Sequence, residues 1–516
     1  MKPTKIQSIP GRARIGRRRS LPILFLLATC WPSAALLAQG GYEIKVAFKP
    51  YTRGYIYLAH YFGKSIYVKD SLLLGPDGRV TFKGSEPLEG GIYMIVNPGK
   101  SQMVELLVDS GSARQHFGIT ADSADLVHGT HFTGSPENGI FAAYQAYAAG
   151  QYAKVRPLQQ TLAAARTHAD STGVIDQIQA INKATADYRT NLMKQYPGSF
   201  LTTLFSLMQE PTVPPTPKLA NGRPDSLFAY RYYKAHYWDG VSFYDDRLLF
   251  TPIFEPKVND YFARLVSPEV DSIKAEVNYM ILFSRSNKTM FKYFVTRFTN
   301  DYANPKYMGQ DGVFLDLFER YYQTGQVDWL TDAQKRPIYD RAYSIMANQL
   351  GDPAADIVLL DSADRKTSLY SVQAPFTVVC FWDPDCGHCQ KEVPELDSIY
   401  LAKWKQLGVK IYSVLIDTVK TDVGKIVPEK AHWLSYIREH HLDDWVNVYQ
   451  TPAMKQDDID AKKAGFRQLY DVYQTPTIYL LDEQKKIIGK KLSWEQVDEL
   501  IQRKLQKSHS TNPVSR

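Results

Sequence analysis

Cysteine is scarce in this chain: four in 516 residues. So few thiols exclude a small disulfide-stapled scaffold, and three of them, Cys380, Cys386 and Cys389, crowd into one short stretch. Net charge is nearly absent as well, once the first residues are set aside. Of 61 Lys and Arg, seven precede residue 39, leaving 54 against 54 Asp and Glu. A balanced chain carries no electrostatic footprint for nucleic acid and no basic patch for a membrane surface. The middle of the chain lacks HExxH, a Walker loop and GxSxG, which removes the usual zinc-hydrolase, nucleotide and serine-hydrolase signatures. No internal repeat at a period of about 20 to 50 residues is present.

Residues 1–38 have the layout of a secretory signal peptide. Lys2, Lys5, Arg12, Arg14, Arg17, Arg18 and Arg19 form a basic start without acid. Leu21 to Leu27 is an apolar core, and Leu36-Leu37-Ala38-Gln39 closes a small-residue exit. Pro22, Pro32 and the shortness of that core argue against a transmembrane anchor. Leu27-Ala28-Thr29-Cys30 also reads as a lipoprotein box, with Thr29 a poor fit; a lipid on Cys30 would tether the protein to a membrane. Arg18-Arg19 resembles a twin-arginine signal, poorly continued by Ser20-Leu21-Pro22. Export to the periplasm or cell envelope is the expectation.

What is present is concentrated in Phe376 to Pro394, FTVVCFWDPDCGHCQKEVP. Phe376 to Trp382 is an apolar, β-branched run of the length of a buried strand. Asp383-Pro384-Asp385 makes a turn, and Cys386-Gly387-His388-Cys389 leads into a helix-like segment, Gln390 to Lys405. Cys386 would sit where unpaired backbone N–H groups and the positive helix end favour a thiolate. Cys389, a turn further in, lies close enough to close a disulfide with it. The thiolate is the attacking species, so the spacing is that of a dithiol redox site.

These residues resemble the active site of the thioredoxin superfamily, in particular the exported thiol–disulfide oxidoreductases of the TlpA and ResA type. Phe381-Trp382 precede the motif, the CxxC is Cys386 to Cys389, and Pro394 matches the proline within the family's active-site helix. Thr475-Pro476 in VYQTPTIYLLD matches the cis-proline loop that faces the dithiol, and Glu392 matches an acidic residue near the buried thiol. The resemblance covers about Ala355 to Lys507. It implies a Cys386–Cys389 disulfide in the oxidised form, Glu392 as proton shuttle for Cys389, and Thr475 and Pro476 as the substrate-binding loop. It implies no resident cofactor and no metal. Two departures stand out. Cys380 occupies the position of thioredoxin's buried aspartate, and Asp385 replaces the usual Trp before the first cysteine. A carboxylate there would oppose ionisation of Cys386. The Gly387-His388 pair resembles that of protein disulfide isomerase, implying a less reducing couple than thioredoxin's. Cys380, inside an apolar strand, is expected to be a buried inert thiol.

The rest divides by composition. Residues 40–134 are β-rich: YEIKVAF, GYIYLAHYF, GRVTFKG, GIYMIVN and MVELLVD alternate partially between Gly, Pro, Asn and Asp turns, predicting a β-sandwich or open barrel. Ser135-Pro136-Glu137 is a helix start, and residues 135–350 read as mainly α, with helices at Asn138 to Ala169, Val174 to Gln195, Ser226 to Tyr237 and Met290 to Asn300. Pro211 to Pro217 is a connector. The Tyr-rich RYYKAHYW and FERYYQ suit helix packing, with partner binding as the alternative. Residues 355–507 form the thioredoxin-like α/β domain. Its expected elements are an opening hairpin (IVLLD and SLYSV), strands at Val409 to Asp417 and Trp445 to Tyr449, and helices at Trp433 to His441 and Phe466 to Tyr473. A closing hairpin (Thr477 to Leu481, Lys486 to Lys490) and a final helix, Trp494 to Leu505, complete it.

The expected function is therefore an exported thiol–disulfide oxidoreductase acting on protein disulfides and fed by an upstream thiol electron donor, soluble or membrane-bound. Its rivals are a structural or client-binding envelope protein and a Cu(I)-type metal carrier using the same two cysteines.

Overall fold

The computed structural model describes residues 40–110, 114–165, 167–416 and 427–511. The signal-like residues 1–38, Cys30 included, lie outside them, as does Asp417. Among the described residues no helix is long and apolar enough to cross a membrane.

The chain opens with a β-sandwich. Its strands are β1 (Tyr42–Lys49), β2 (Tyr55–Phe62), β3 (Ser65–Leu73), β4 (Arg79–Gly84), β5 (Gly91–Val96), β6 (Met103–Val108), β7 (His116–Asp122) and β8 (His131–Thr133). They form two four-stranded sheets, ordered β4-β1-β7-β8 and β3-β2-β5-β6. Alternation along β1 turns Ile44, Val46 and Phe48 inward, onto Ile56, Leu58, Phe82, Tyr93 and Ile119. The sequence did not signal β3, β7 or β8. In β3 no residue is fully buried, so the alternation that marks a half-buried strand is missing.

The region after the sandwich is helical and packs in two parts. The first pair of helices, Pro136–Ala164 and His168–Gln195, lies with Phe200–Leu207 against Ile92 of β5 and Leu107 of β6. This explains why β5 is buried on both faces. Asn138, 1% exposed, fastens the first helix: it accepts from the Leu107 N–H at 2.6 Å and donates to the Leu107 carbonyl at 2.8 Å. The single helix expected over Asn138 to Ala169 is interrupted, because Ala165 adopts an extended backbone (ψ 131). Helices Phe254–Arg264, Val270–Ser284, Lys288–Ala303 and Asp311–Leu317 build a second core of Phe254, Val258, Met280, Phe294 and Phe314. The Tyr-rich runs contribute to that core. Tyr237, Tyr321 and Tyr322 are buried in it, and Trp238 meets Tyr237 edge to face at 5.0 Å.

The last domain is a seven-stranded mixed sheet flanked by helices. Its strands are β9 (Val358–Asp361), β10 (Lys366–Ser368), β11 (Phe376–Trp382), β12 (Lys410–Leu415), β13 (Val446–Tyr449), β14 (Thr477–Asp482) and β15 (Ile487–Lys490). The order is β10-β9-β13-β12-β11-β14-β15, with β11 parallel to β12 and antiparallel to β14. All seven residues of β11 are buried, as befits a central strand covered on both faces. Val378, Cys380 and Trp382 face the layer that holds Cys389, while Val379 and Phe381 pack on Phe466, Tyr470 and Tyr479.

Two local expectations need correction, and one helix was missed. The helix expected over Phe466 to Tyr473 ends at Leu469, because Asp471 sits at φ 49 and turns the chain. Three of the five residues of the SLYSV segment form instead a single 3₁₀ turn, Leu369–Ser371, capped by the Ser368 side chain. A helix at Pro452–Asp460 was not anticipated, although Thr451 caps it and proline opens it.

The helical region and the last domain are joined behind the Asp471 loop. Arg341, on the helix Asp332–Met346, donates to Asp471 at 2.6 Å, and Lys491 also pairs with Asp471. Lys490 and Asp311 form an ion pair at 2.5 Å, both side chains less than a tenth exposed.

Candidate active site: a dithiol facing a proline loop

The turn after β11 is built by its own side chains. Asp383, buried, accepts from the Asp385 N–H at 2.8 Å through its carboxylate, and its carbonyl accepts from the Cys386 N–H at 3.1 Å. Gln390 reaches back to the Pro384 carbonyl at 2.9 Å. Helix Cys389–Ile399 begins at the second cysteine, so Cys386 stands just outside it, with the Gln390 N–H donating to its carbonyl at 3.0 Å. The cap of the helix is His388, so the first cysteine stands two residues ahead of it, near backbone N–H groups that remain unspent.

The two thiols are unlinked and sit in opposite environments. Cys386 is half-buried and its Sγ lies 3.3 Å from the Thr475 carbonyl. Burial works against its ionisation, but hydrogen bonds from Thr475 and from the Cys389 and His388 backbone outweigh it and hold the thiol below its ordinary value. Cys389 is fully buried, and burial pushes it up to about 12. Asp385 does not produce the expected opposition. Its carboxylate is largely exposed and lies 3.3 Å from the ring of His432, on helix Val427–Glu439.

Thr475-Pro476 is a cis peptide, half-buried, against Cys386. The Thr477 hydroxyl donates to the Gln474 carbonyl at 2.6 Å and closes the loop on itself. Trp382 is buried beneath the motif, its indole N–H donating to Ser413 at 2.6 Å and its ring 5.1 Å from Tyr436. Gly387 and His388 are exposed, and a side chain at Gly387 would meet nothing within 4 Å. Pro394 lies within the active-site helix, where it leaves the Gln390 carbonyl without its helical donor. Glu392, one turn past Cys389, is half-buried; burial and then Glu395 and Glu495 raise its pKa. Its charge is also felt by Cys380, which burial, Cys389 and Glu392 together push far up. Cys380 and Cys389 share one buried layer, with Cys380 fully enclosed.

Sequence reasoning missed His432, Ser413, Asp471 and Arg341. Each comes from a distant element, and no local pattern marks it. Chemically, the arrangement presents one accessible thiol poised to ionise, one buried thiol that holds its proton, and a carboxyl of raised proton affinity one helical turn further along.

Comparison with known proteins gives a consistent picture. Residues 350–490 match the AhpC/TSA family, and residues 170–344 match a domain of unknown function (DUF5106). The chain is 26% identical over 159 residues to the thiol-disulfide oxidoreductase ResA of Bacillus anthracis, covering 31% of this chain and 78% of that one. It is 31% identical to a solved domain of a possible thiol-disulfide isomerase from Cytophaga hutchinsonii ATCC 33406 (32% of this chain, 97% of that chain, TM-score 0.25). A solved thioredoxin-like protein from Bacteroides caccae ATCC 43185 is 21% identical (56% of this chain, 99% of that chain, TM-score 0.39).

Proposed function

We propose, from the premise that the C-terminal domain is a thioredoxin-like member of the AhpC/TSA family, that this protein is an exported thiol–disulfide oxidoreductase reducing disulfides in protein substrates. The observation that carries the proposal is the divergence of the two thiols beside the Thr475-Pro476 loop.

The Cys386 thiolate attacks one sulfur of a substrate disulfide. That S–S bond breaks, the other substrate sulfur leaves as thiolate, and a mixed disulfide with Cys386 forms. Cys389 then loses its proton to Glu392 and attacks the Cys386 sulfur. The second substrate sulfur leaves, takes up a proton, and the Cys386–Cys389 disulfide closes with two electrons transferred. Thr475 offers its backbone to the substrate chain in strand-like pairing, with Pro476 lining the groove. In an oxidising compartment the cycle needs an upstream thiol donor to return two electrons. The basic, apolar and small-residue order of residues 1–38 supports export.

The test is the reduction potential of the Cys386–Cys389 couple on the mature protein, set by glutathione buffers and read by thiol alkylation. A value near ~−270 mV supports a reductant, and one near ~−120 to −180 mV an oxidising or isomerising enzyme. A pair that does not cycle at all refutes the enzyme and leaves a client-binding or structural protein. Cys386→Ser should abolish turnover.

A further inference from the structure

The loop that faces Cys386 has a second side. Tyr473, Gln474 and Thr477, which flank Thr475 in sequence, line a cleft of about 570 Å³, and its opposite wall comes from the helical region through Asn304, Asp340 and Arg341. Lys491 and Asp471 complete the floor. A smaller cavity of about 300 Å³ continues from it, sharing Asn304, Arg341 and Lys491. The loop that faces the dithiol is therefore backed by a cleft built from two different parts of the chain.

The chemistry of the cleft selects its occupant. Arg341 and Lys491 are both engaged with Asp471, which is 2% exposed, and Asp340 supplies a second carboxylate 3.9 Å from Arg336. Two cations stand against two carboxylates in the lining, so no surplus charge waits for a phosphate or a carboxylate ligand. Beside the exposed, oppositely charged Asp340 and Lys491, the exposed uncharged groups are Asn304, Gln474 and Tyr473: amides that both donate and accept, and an aromatic ring 75% exposed. That set matches polypeptide backbone and side-chain packing, and the cleft adjoins the loop whose Thr475 carbonyl lies at Cys386. Asp471 is held by Arg341 across the domain boundary, so the wall is fixed relative to the loop.

We propose that this cleft receives the extended polypeptide that flanks the target cysteine of a client, so that the helical region helps set which disulfides are reduced. The proposal rests on the redox function given above. It assigns Asn304, Tyr473 and Gln474 a role in substrate binding and none in the chemistry; Asp340 only borders the space.

The experiment uses the full mature chain, reduced and freed of reductant, in single turnover. Its substrates are a bare capped cysteine disulfide and the same disulfide carrying five extra residues on one side or the other, roughly 16 Å of extended chain. In the wild type, one of the two extensions should raise the second-order rate constant by roughly tenfold. Asp340→Trp, at an exposed helix position, should erase that gain and leave the bare disulfide unchanged, while Asp340→Ala, which leaves the space open, should retain most of it. Unchanged melting temperatures for both variants show that the wall is intact. The proposal is overturned if neither extension is favoured in the wild type, or if Asp340→Trp keeps the full gain. Failure to reduce even the bare disulfide would instead remove the redox function, and the cleft assignment with it.

Discussion

In the reduced protein Cys386 should react with iodoacetamide about 10² times faster than Cys389 at pH 7. Burial pushes Cys389 up to about 12, so only ~10⁻⁵ of it is thiolate at neutral pH, one decade being lost per pH unit. A thiol of ordinary pKa is ~3% thiolate at that pH, and the shift at Cys386 is downward, toward more thiolate. The thiolate populations thus differ by more than ~10³. Part of that is returned by nucleophilicity, which rises with pKa at a slope of ~0.4–0.5 and gives back about 1.5 decades over 3.5 units. What remains is about 10², before the poorer access to a fully buried sulfur is counted. The assay is pseudo-first-order alkylation followed by mass spectrometry from pH 5 to 10, on Cys389→Ser and Cys386→Ser, so that each thiol is seen alone. A depressed pKa moves the rise in rate to lower pH, so Cys389→Ser should climb and level off at lower pH than a free cysteine measured alongside. Cys386→Ser should stay slow until far above that, since the largest cause of its raised pKa is burial, which the substitution leaves in place. Coincident pH profiles, or a faster Cys389, would refute the reasoning.

Three further outcomes are expected. Glu392→Gln should slow resolution of the mixed disulfide by ~10²-fold without altering Cys386 alkylation. The raised proton affinity of Glu392 means that, in the wild type, this step speeds up as pH rises through a value above the ordinary carboxylate range, which quenched-flow trapping reads. Lys490→Met leaves Asp311 charged and buried and should cost about 3–5 kcal/mol of stability, much of it recovered in the double variant with Asp311→Leu, both read by chemical denaturation. Asn138→Leu strips the Leu107 N–H and carbonyl of their buried partners and should cost about 1–3 kcal/mol for each, seen as a lower melting temperature.

Much of the redox site could be read locally. A buried strand, a turn and a helix start follow from neighbouring residues, and Phe376–Trp382, Asp383-Pro384-Asp385 and Cys389–Ile399 obey those local rules. The spacing of Cys386 and Cys389, and the proline after Thr475, are likewise matters of a few residues. The fold class followed for a similar reason: short β-forming runs between turn residues in the first region, helical runs in the middle, and strand–helix alternation at the end. Where burial was absent the signal failed. Strand β3 keeps no residue fully inside, so nothing in its residue order separates it from a loop.

Tertiary structure alone decided the environment of each group. Asp385 was expected to burden Cys386, yet the fold turns it toward solvent and His432, a residue 47 positions away. The same Cys386 thiol finds the Thr475 carbonyl 89 residues later, and Arg341 finds Asp471 across 130 residues. Such pairings are set by how whole faces pack, since apolar burial is additive over many residues and indifferent to their order along the chain. The residues thus determined the chemistry available at Cys386 and Cys389. Packing determined which thiol ionises, which keeps its proton, and which wall of the helical region stands behind the Thr475 loop.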